Sequence, residues 1–294
     1  MSPSPSAPTV RLGLVQMGAT DDPEGNLERA IVGLREAAGR GAAVVCLPEL
    51  FRTRYFCQEE DPRHFDKAEA VAGPTVETLR GVARDLSVVL VVPFFERRAA
   101  GVYHNSLVVL EADGSVAGHY RKMHIPHDPL YFEKYYFTPG DLGFQSVTTG
   151  ACRLGPLICW DQWYPEAARL TALRGAQLLL YPTAIGWHTE TPPAERNQEI
   201  EAWETVQRAH AIANGVFVAA NNRVGREGAL EFWGSSFVVD PMGQVIARAG
   251  RDEEETLVVD CDLAQIERTR RLWPFLRDRR TDSYAPLVER FLAP

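Results

Sequence analysis

Hydrophobic and polar positions along this chain switch between a strand-like and a helix-like period, and the switches mark out its elements. Thr9 to Gln16 is an apolar run of strand length and reads as a buried strand. Asp22-Pro23 supplies a helix N-cap followed by proline at the first helical position. Leu27, Ile31, Leu34 and Ala38 then recur at helical spacing and predict one apolar face, and Gly39 and Gly41 close the helix. Ala42 to Leu47 reads as a second strand, ending at Pro48-Glu49. Thr75 to Leu86 predicts a second helix and Val88 to Phe94 a third strand. Asn105 to Leu110 and Val116 to Tyr120 predict a hairpin about Asp113-Gly114.

The second half repeats this order. Arg11-Leu-Gly13 opens the first strand, and Arg153-Leu-Gly155 opens an apolar run that ends at Cys159. Arg40-Gly-Ala-Ala-Val-Val-Cys-Leu-Pro48 has a counterpart in Arg174-Gly-Ala-Gln-Leu-Leu-Leu-Tyr-Pro182, and Val88 to Pro93 is echoed by Val216 to Ala220. Two β-α-β-α halves related by a pseudo-two-fold account for this, with paired sheets inside and helices outside. Shared composition of unrelated βα units is the other explanation. A symmetric arrangement brings equivalent strand ends to one edge, where α/β folds place their sites. Glu49 stands at one such end and Cys159 at another. A last hairpin, Ser235 to Asp240 and Gln244 to Ala249, turns at Pro241-Met-Gly243; Val258 to Asp260 adds a strand, and a helical then irregular tail follows.

Composition narrows the class. The 294 residues carry a net charge of −8, which does not suggest a nucleic-acid or anionic-membrane partner. No apolar run approaches the roughly 18 residues of a membrane helix. Residues 1–8 lack the basic and apolar regions of a signal peptide and read as a disordered tail, leaving 9–294 as a single domain. Five cysteines (Cys46, Cys57, Cys152, Cys159, Cys261), odd in number and without C-x-x-C spacing, indicate neither a disulfide framework nor a zinc site, and fit a reducing cytoplasmic location. No two of the seven histidines stand at metal-motif spacing, so no metal is expected.

Candidate chemistry starts at Cys159. Pro165 opens an amphipathic segment, so the thiol is expected at a strand end near a helix N-terminus, where the dipole favours a thiolate. Taken alone it reads equally as a small apolar side chain finishing a buried strand. Glu49 alone reads as a loop acid, and Lys122 as a solvated strand-end cation. Their combination changes that. Leu47-Pro-Glu-Leu50, Tyr120-Arg-Lys-Met-His-Ile-Pro126 and Leu157-Ile-Cys-Trp-Asp-Gln-Trp-Tyr-Pro-Glu166 together resemble the nitrilase superfamily of carbon–nitrogen hydrolases, in the family's order and spacing.

The resemblance implies a four-layer α-β-β-α sandwich, no cofactor, a homo-oligomer, and a Glu–Lys–Cys triad at Glu49, Lys122 and Cys159, with a second glutamate at Glu133. In those roles Glu49 is the general base, Cys159 the nucleophile and Lys122 the oxyanion partner. Tyr55-Phe-Cys-Gln58, Glu133 to Asp141, Trp160-Asp-Gln-Trp163, Tyr181 to Gly186 and Trp273 to Tyr284 place the likeness nearest to members that take a carbamoyl-amine substrate, N-carbamoylputrescine. Carbamoyl amino acids and ω-amides are the alternative substrates, acyl transfer to an amine is an alternative outcome, and a silent binding member is a further alternative that the filled triad disfavours. An ammonium at the far end of the substrate calls for acids or aromatic rings. Tyr55, Tyr131, Trp160, Trp163, Trp187 and Glu190 are the candidates, and the turn after Cys159 carries Asp161-Gln162 with no arginine for a carboxylate. The segment Arg268 to Arg280 reads as a packed tail with paired charges and not as a nucleic-acid patch.

Overall fold

β1 (Thr9–Gln16) is the run read from the sequence, and α1 (Pro23–Gly39) follows it. Asp22 accepts the Glu24 N–H at 3.1 Å, and Gly41, at φ +83°, turns the chain into β2 (Val44–Cys46). The buried stripe of α1 is Leu27, Ala30, Leu34 and Ala37, with Ile31 and Ala38 at its rim. Small residues set that rotation. A Cβ on Gly33 would stand 2.6 Å from Val15 Cγ1, and one on Gly13 would stand 2.9 Å from the Ala37 Cβ. Helix and sheet therefore meet along glycine and alanine, closer than an isoleucine face allows. The structure is a computed structural model that describes residues 9–292; the tail expected at 1–8 lies outside the described residues.

α2 (Pro74–Leu86) leads to β3 (Val89–Ala99), β4 (Val102–Leu110) and β5 (Val116–Arg121). β3 runs past the expected end at Phe94. Glu96 points inward there and is held by Ser106 Oγ at 2.6 Å and by Arg121 Nη2 and Nε at 2.6 and 2.9 Å, so a charged stretch still pairs as strand. The second half contains a short helix α3 (Glu133–Tyr136), then β6 (Val147–Thr148), β7 (Arg153–Pro156), α4 (Pro165–Leu173) and β8 (Leu178–Pro182). β9 (Gly186–His188), the long α5 (Pro193–Asn214), β10 (Phe217–Asn221), β11 (Val224–Glu227) and β12 (Leu230–Trp233) come next. β13 (Phe237–Val239), β14 (Val245–Arg248), β15 (Glu255–Asp262) and α6 (Ala264–Leu272) complete it.

Two six-stranded sheets have matching order. One is β15-β1-β2-β3-β4-β5 and the other β6-β7-β8-β10-β13-β14. In each, three parallel strands are flanked by antiparallel ones. Gly13 pairs with Val45 and Gly155 with Leu179, so the two Arg-Leu-Gly segments occupy the same register. Leu12, Leu14, Cys46 and Val91 share one core with Leu178, Leu180 and Val218, which packs sheet on sheet. Val45, Leu90 and Val92 face the other way, onto Leu34 of α1 and Leu79 of α2. Ala167, Ala172 and Ala211 of α4 and α5 cover the second sheet. The result is the expected α-β-β-α sandwich. A third sheet, β11-β12-β9, was not anticipated. Its strands are short and their periodicity is masked by loop residues.

Gly155 has no room for a side chain. A Cβ there would meet Leu179 Cδ2 and Thr171 Cγ2, each at 2.6 Å, and Ala176 Cβ at 3.0 Å. Gly155→Ala is expected to lower stability by about 1–3 kcal/mol, read as an earlier urea midpoint with an unchanged slope. An unchanged midpoint would mean that the helix and sheet layers yield freely here.

Among the described residues no helix is long and apolar enough to cross a membrane. All five cysteines are buried and unpaired. The tail pairs its charges as expected but leaves aromatic rings partly exposed. Arg277 and Arg280 pair with Asp278 and Asp282 inside the tail itself, while Trp273 and Phe275 remain 38% and 45% exposed.

Candidate active site

Glu49 lies just beyond the end of β2, and the following Leu50 turns the chain away at φ +50°. Lys122 follows the last residue of β5, and its backbone N–H donates to Asn105 O on β4 at 2.8 Å. Neither is a solvated strand-end charge, since both side chains are fully enclosed. The Lys122 ammonium donates to Glu49 Oε1 at 2.8 Å and to Glu133 Oε2 at 2.7 Å. Asn105 Nδ2 adds a bond to Glu49 Oε1 at 2.7 Å, and Tyr55 Oη donates to Glu133 Oε1 at 2.7 Å. Glu49 Oε2 has no hydrogen-bond partner among the described residues.

The cluster thus buries two carboxylates around one ammonium. Burial alone would drive the proton off Lys122, but Glu133 and Glu49 outweigh it and hold its pKa well above the ordinary lysine value. Burial pushes Glu133 up; Lys122 opposes that, and Glu49 reinforces it. One ammonium cannot fully compensate two enclosed acids, so the site holds a proton readily.

Cys159 sits beside this cluster at φ +41°, opening a tight 3-10 turn, Cys159–Trp163. α4 begins only at Pro165, so the helix-dipole effect expected for Cys159 is not the controlling one. Burial pushes the thiol well above its ordinary pKa and Glu49 adds to this, with Lys122 opposing. Burial thus favours the protonated form of the resting sulfur, whose Sγ lies 4.0 Å from Ala184 O. Asp161 fixes the turn to the lysine segment. Its carboxylate accepts Tyr120 Oη at 2.8 Å, His124 N and Nδ1 at 3.0 and 2.7 Å, and Ile158 N at 3.1 Å. Gln162 ties the same turn to α5 through Trp203 Nε1 and Gln207 Nε2, both at 2.8 Å. Both side chains are fully enclosed and face the scaffold. The missing arginine in this turn therefore says nothing about the substrate, contrary to the expectation from sequence.

A cavity of about 450 Å³ opens onto Cys159 and Glu133. Of the six residues expected to contact a ligand, Tyr131, Trp160 and Trp163 line it. Tyr55 does not; it stands behind, bonded to Glu133, and its backbone N–H donates to Glu227 Oε2 at 2.6 Å. Trp187 turns into the wall, its ring 5.1 Å from Trp233 and its Nε1 donating to Arg196 O at 3.1 Å. Glu190 is exposed outside the cavity. The acids that do line the cavity beside Glu133 are Asp128 and Glu199, and sequence reading missed both. Glu199 stands next to Ile200 and one turn before Trp203, two apolar positions of the buried face of α5, and that helical spacing was the signal available.

A family profile described as "Carbon-nitrogen hydrolase" matches residues 11–271. The chain is 41% identical over 288 residues to the N-carbamoylputrescine amidase of Solanum lycopersicum, covering 95% of each. It is 38% identical over 287 residues to the citrullinase of Francisella tularensis, covering 96% of this chain and 99% of that one. The crystal structure of a carbon-nitrogen hydrolase from Helicobacter pylori G27 superposes with a TM-score of 0.94 at 45% identity, over 97% of this chain and 100% of the other. Fold, enclosed charge cluster and these likenesses agree, and the chain belongs to the carbon–nitrogen hydrolase (nitrilase) superfamily, as an enzyme that hydrolyses carbon–nitrogen bonds.

Proposed function

We propose that the enzyme hydrolyses N-carbamoylputrescine to putrescine, carbon dioxide and ammonia. The observation that carries this reading is the cavity. It ends at a thiol beside a buried Glu–Lys–Glu cluster, and among the described residues its walls contain acids and a histidine but no arginine or lysine. A substrate with a carboxylate at its far end meets like charge there; one with an ammonium meets opposite charge. The likeness to amidases of that name supports the choice.

The chemistry follows from the atoms present. Glu49 Oε2, free of other bonds, takes the Cys159 proton as sulfur attacks the ureido carbon. Burial favours the protonated thiol at rest, so the proton moves as sulfur attacks. Lys122 has three N–H donors; two hold Glu49 and Glu133, and the third meets the oxyanion together with the Trp160 backbone N–H. Glu49 returns the proton to the terminal nitrogen, the C–N bond breaks and ammonia leaves an S-carbamoyl thioester. Water, deprotonated by Glu49, attacks that carbon, and the C–S bond breaks as Glu49 gives that proton to the departing Cys159 sulfur. The resulting carbamic acid falls apart to carbon dioxide and the amine. Glu133, held by Tyr55, keeps Lys122 aimed.

The test is ammonia release from N-carbamoylputrescine, N-carbamoyl-β-alanine, citrulline and a simple ω-amide. The carbamoylated diamine is expected to give the highest kcat/KM, by at least about 10-fold over each acid-bearing compound, as expected from opposing charge in a confined site. A clear preference for N-carbamoyl-β-alanine would overturn the substrate and leave the chemistry standing.

A further inference from the structure

We infer that Glu199 is the specificity-determining residue that reads the positive charge at the far end of the substrate; this rests on the reaction proposed above. Glu199 and Ala202 are three apart on α5 and both face the cavity, while Ile200 and Trp203 point into the core. The Glu199 carboxylate has no hydrogen bond or ion pair among the described residues. The cation nearest along the helix is already engaged. Arg196 donates to Glu231 at 2.9 Å and to the carbonyls of Thr191 and Thr189 at 2.9 and 3.0 Å, and lies over the Trp187 ring at 4.9 Å. Arg196 therefore fastens the segment Thr189 to Thr191 to α5 and makes no ion pair with Glu199 beside it.

Position fits the role as well. Tyr131 is within electrostatic reach of both Cys159 and Glu199, whereas Glu199 responds to His188, Glu195 and Arg196 and not to the Lys122 cluster. Glu199 thus lines the same cavity as Cys159 and Tyr131 and is not bonded to Lys122, whose partners are Glu49 and Glu133. Glu199 is largely exposed to solvent, and such burial as it has raises its pKa, with His188 opposing. An alkylammonium between Glu199 and the rings of Trp160, Trp163 and Tyr131 supplies a donor and gains the aromatic faces.

The experiment compares N-carbamoylputrescine with N-pentylurea, its neutral isostere, in the full-length enzyme and in Glu199→Gln. The wild type is expected to prefer the cation, and Glu199→Gln to shrink that preference, as a ratio of kcat/KM, by about 10-fold, the size of one charge-assisted hydrogen bond. A preference within about 2-fold of wild type would overturn the assignment. A second readout needs no turnover: putrescine should shield Cys159 from iodoacetamide, with half-protection moving about 10-fold higher in Glu199→Gln. If N-carbamoylputrescine is not hydrolysed yet that shift appears, the reaction falls and the Glu199 assignment stands. If N-carbamoylputrescine is hydrolysed and neither readout moves, the assignment alone falls.

Discussion

Cys159→Ala is expected to lower ammonia release by at least about 10⁴-fold, the scale on which covalent nucleophiles matter. The loss is large because nothing nearby can substitute. The other thiol close to the cluster, Cys57, is fully enclosed behind it and does not line the cavity. Burial, and then Glu133, hold its pKa well above that of an ordinary thiol. What remains in the variant is a substrate held beside Glu49 and Lys122 with only water to attack. The fold should be untouched, because one sulfur is removed from a site it already shares with a cavity. Stopped-flow and steady-state assays with N-carbamoylputrescine decide the matter. Turnover close to wild type would eliminate Cys159 as the nucleophile and with it the thioester.

Lys122→Met should damage both turnover and stability. Activity is expected to fall by at least about 10²–10³-fold, as when an oxyanion donor is removed from an enclosed site. Stability at pH 7 is expected to fall by about 3–5 kcal/mol, because Glu49 and Glu133 are left as two enclosed acids without their common cation. The pH dependence has a definite sign. Glu133 already has a raised pKa in the folded enzyme, and Lys122 is what opposes a further rise. Without Lys122 the folded state binds the Glu133 proton more tightly than the unfolded chain does. Its contribution is therefore favourable below the unfolded pKa and lost as pH rises through the folded one, so the deficit narrows as pH falls from 7 to 5. Urea titrations of both proteins at the two pH values test this. A deficit that is absent, or that widens on acidification, would mean that the ammonium does not hold the cluster together.

Legibility in the sequence followed how strongly one physical constraint dominated each segment. β1 was readable to the residue because its side chains have a single environment to satisfy. The symmetry of the halves was readable because Gly13 and Gly155 meet the same steric demand at the same register. For α1 the apolar period gave the helix and its buried Leu27 and Leu34, but Ala30 and Ala37 stand where Ile31 and Ala38 were expected, since the contact is built on glycine and alanine. Glu49, Lys122, Cys159 and Glu133 came from short motifs, and the fold brings them into one cluster. The cavity wall was much less legible. Tyr55 and Glu190 lie on loops and Trp187 on the three-residue β9, too short a stretch for period 2 or period 3.6 to dictate a direction. Glu199 lies on a helix, but an acid there looks like any solvated surface charge. Its role depends on Arg196 being engaged elsewhere, a fact of three-dimensional pairing alone.

The pairing of β15 with β1 bears on the order in which the protein is made. Eight residues at one end of the described chain, Thr9 to Gln16, find their antiparallel partner in Asp262 back to Glu255. A ribosome emits β1, β2 and β3 long before that partner exists. Until residues 255–262 clear the exit tunnel, the first sheet presents β1 as an open hydrogen-bonding edge above a nearly finished core. A chain terminated ahead of Glu255 keeps that edge permanently, even though it already contains Glu49, Lys122 and Cys159. Truncated products are therefore expected to be recovered with chaperones or in aggregates and not as partly active enzyme.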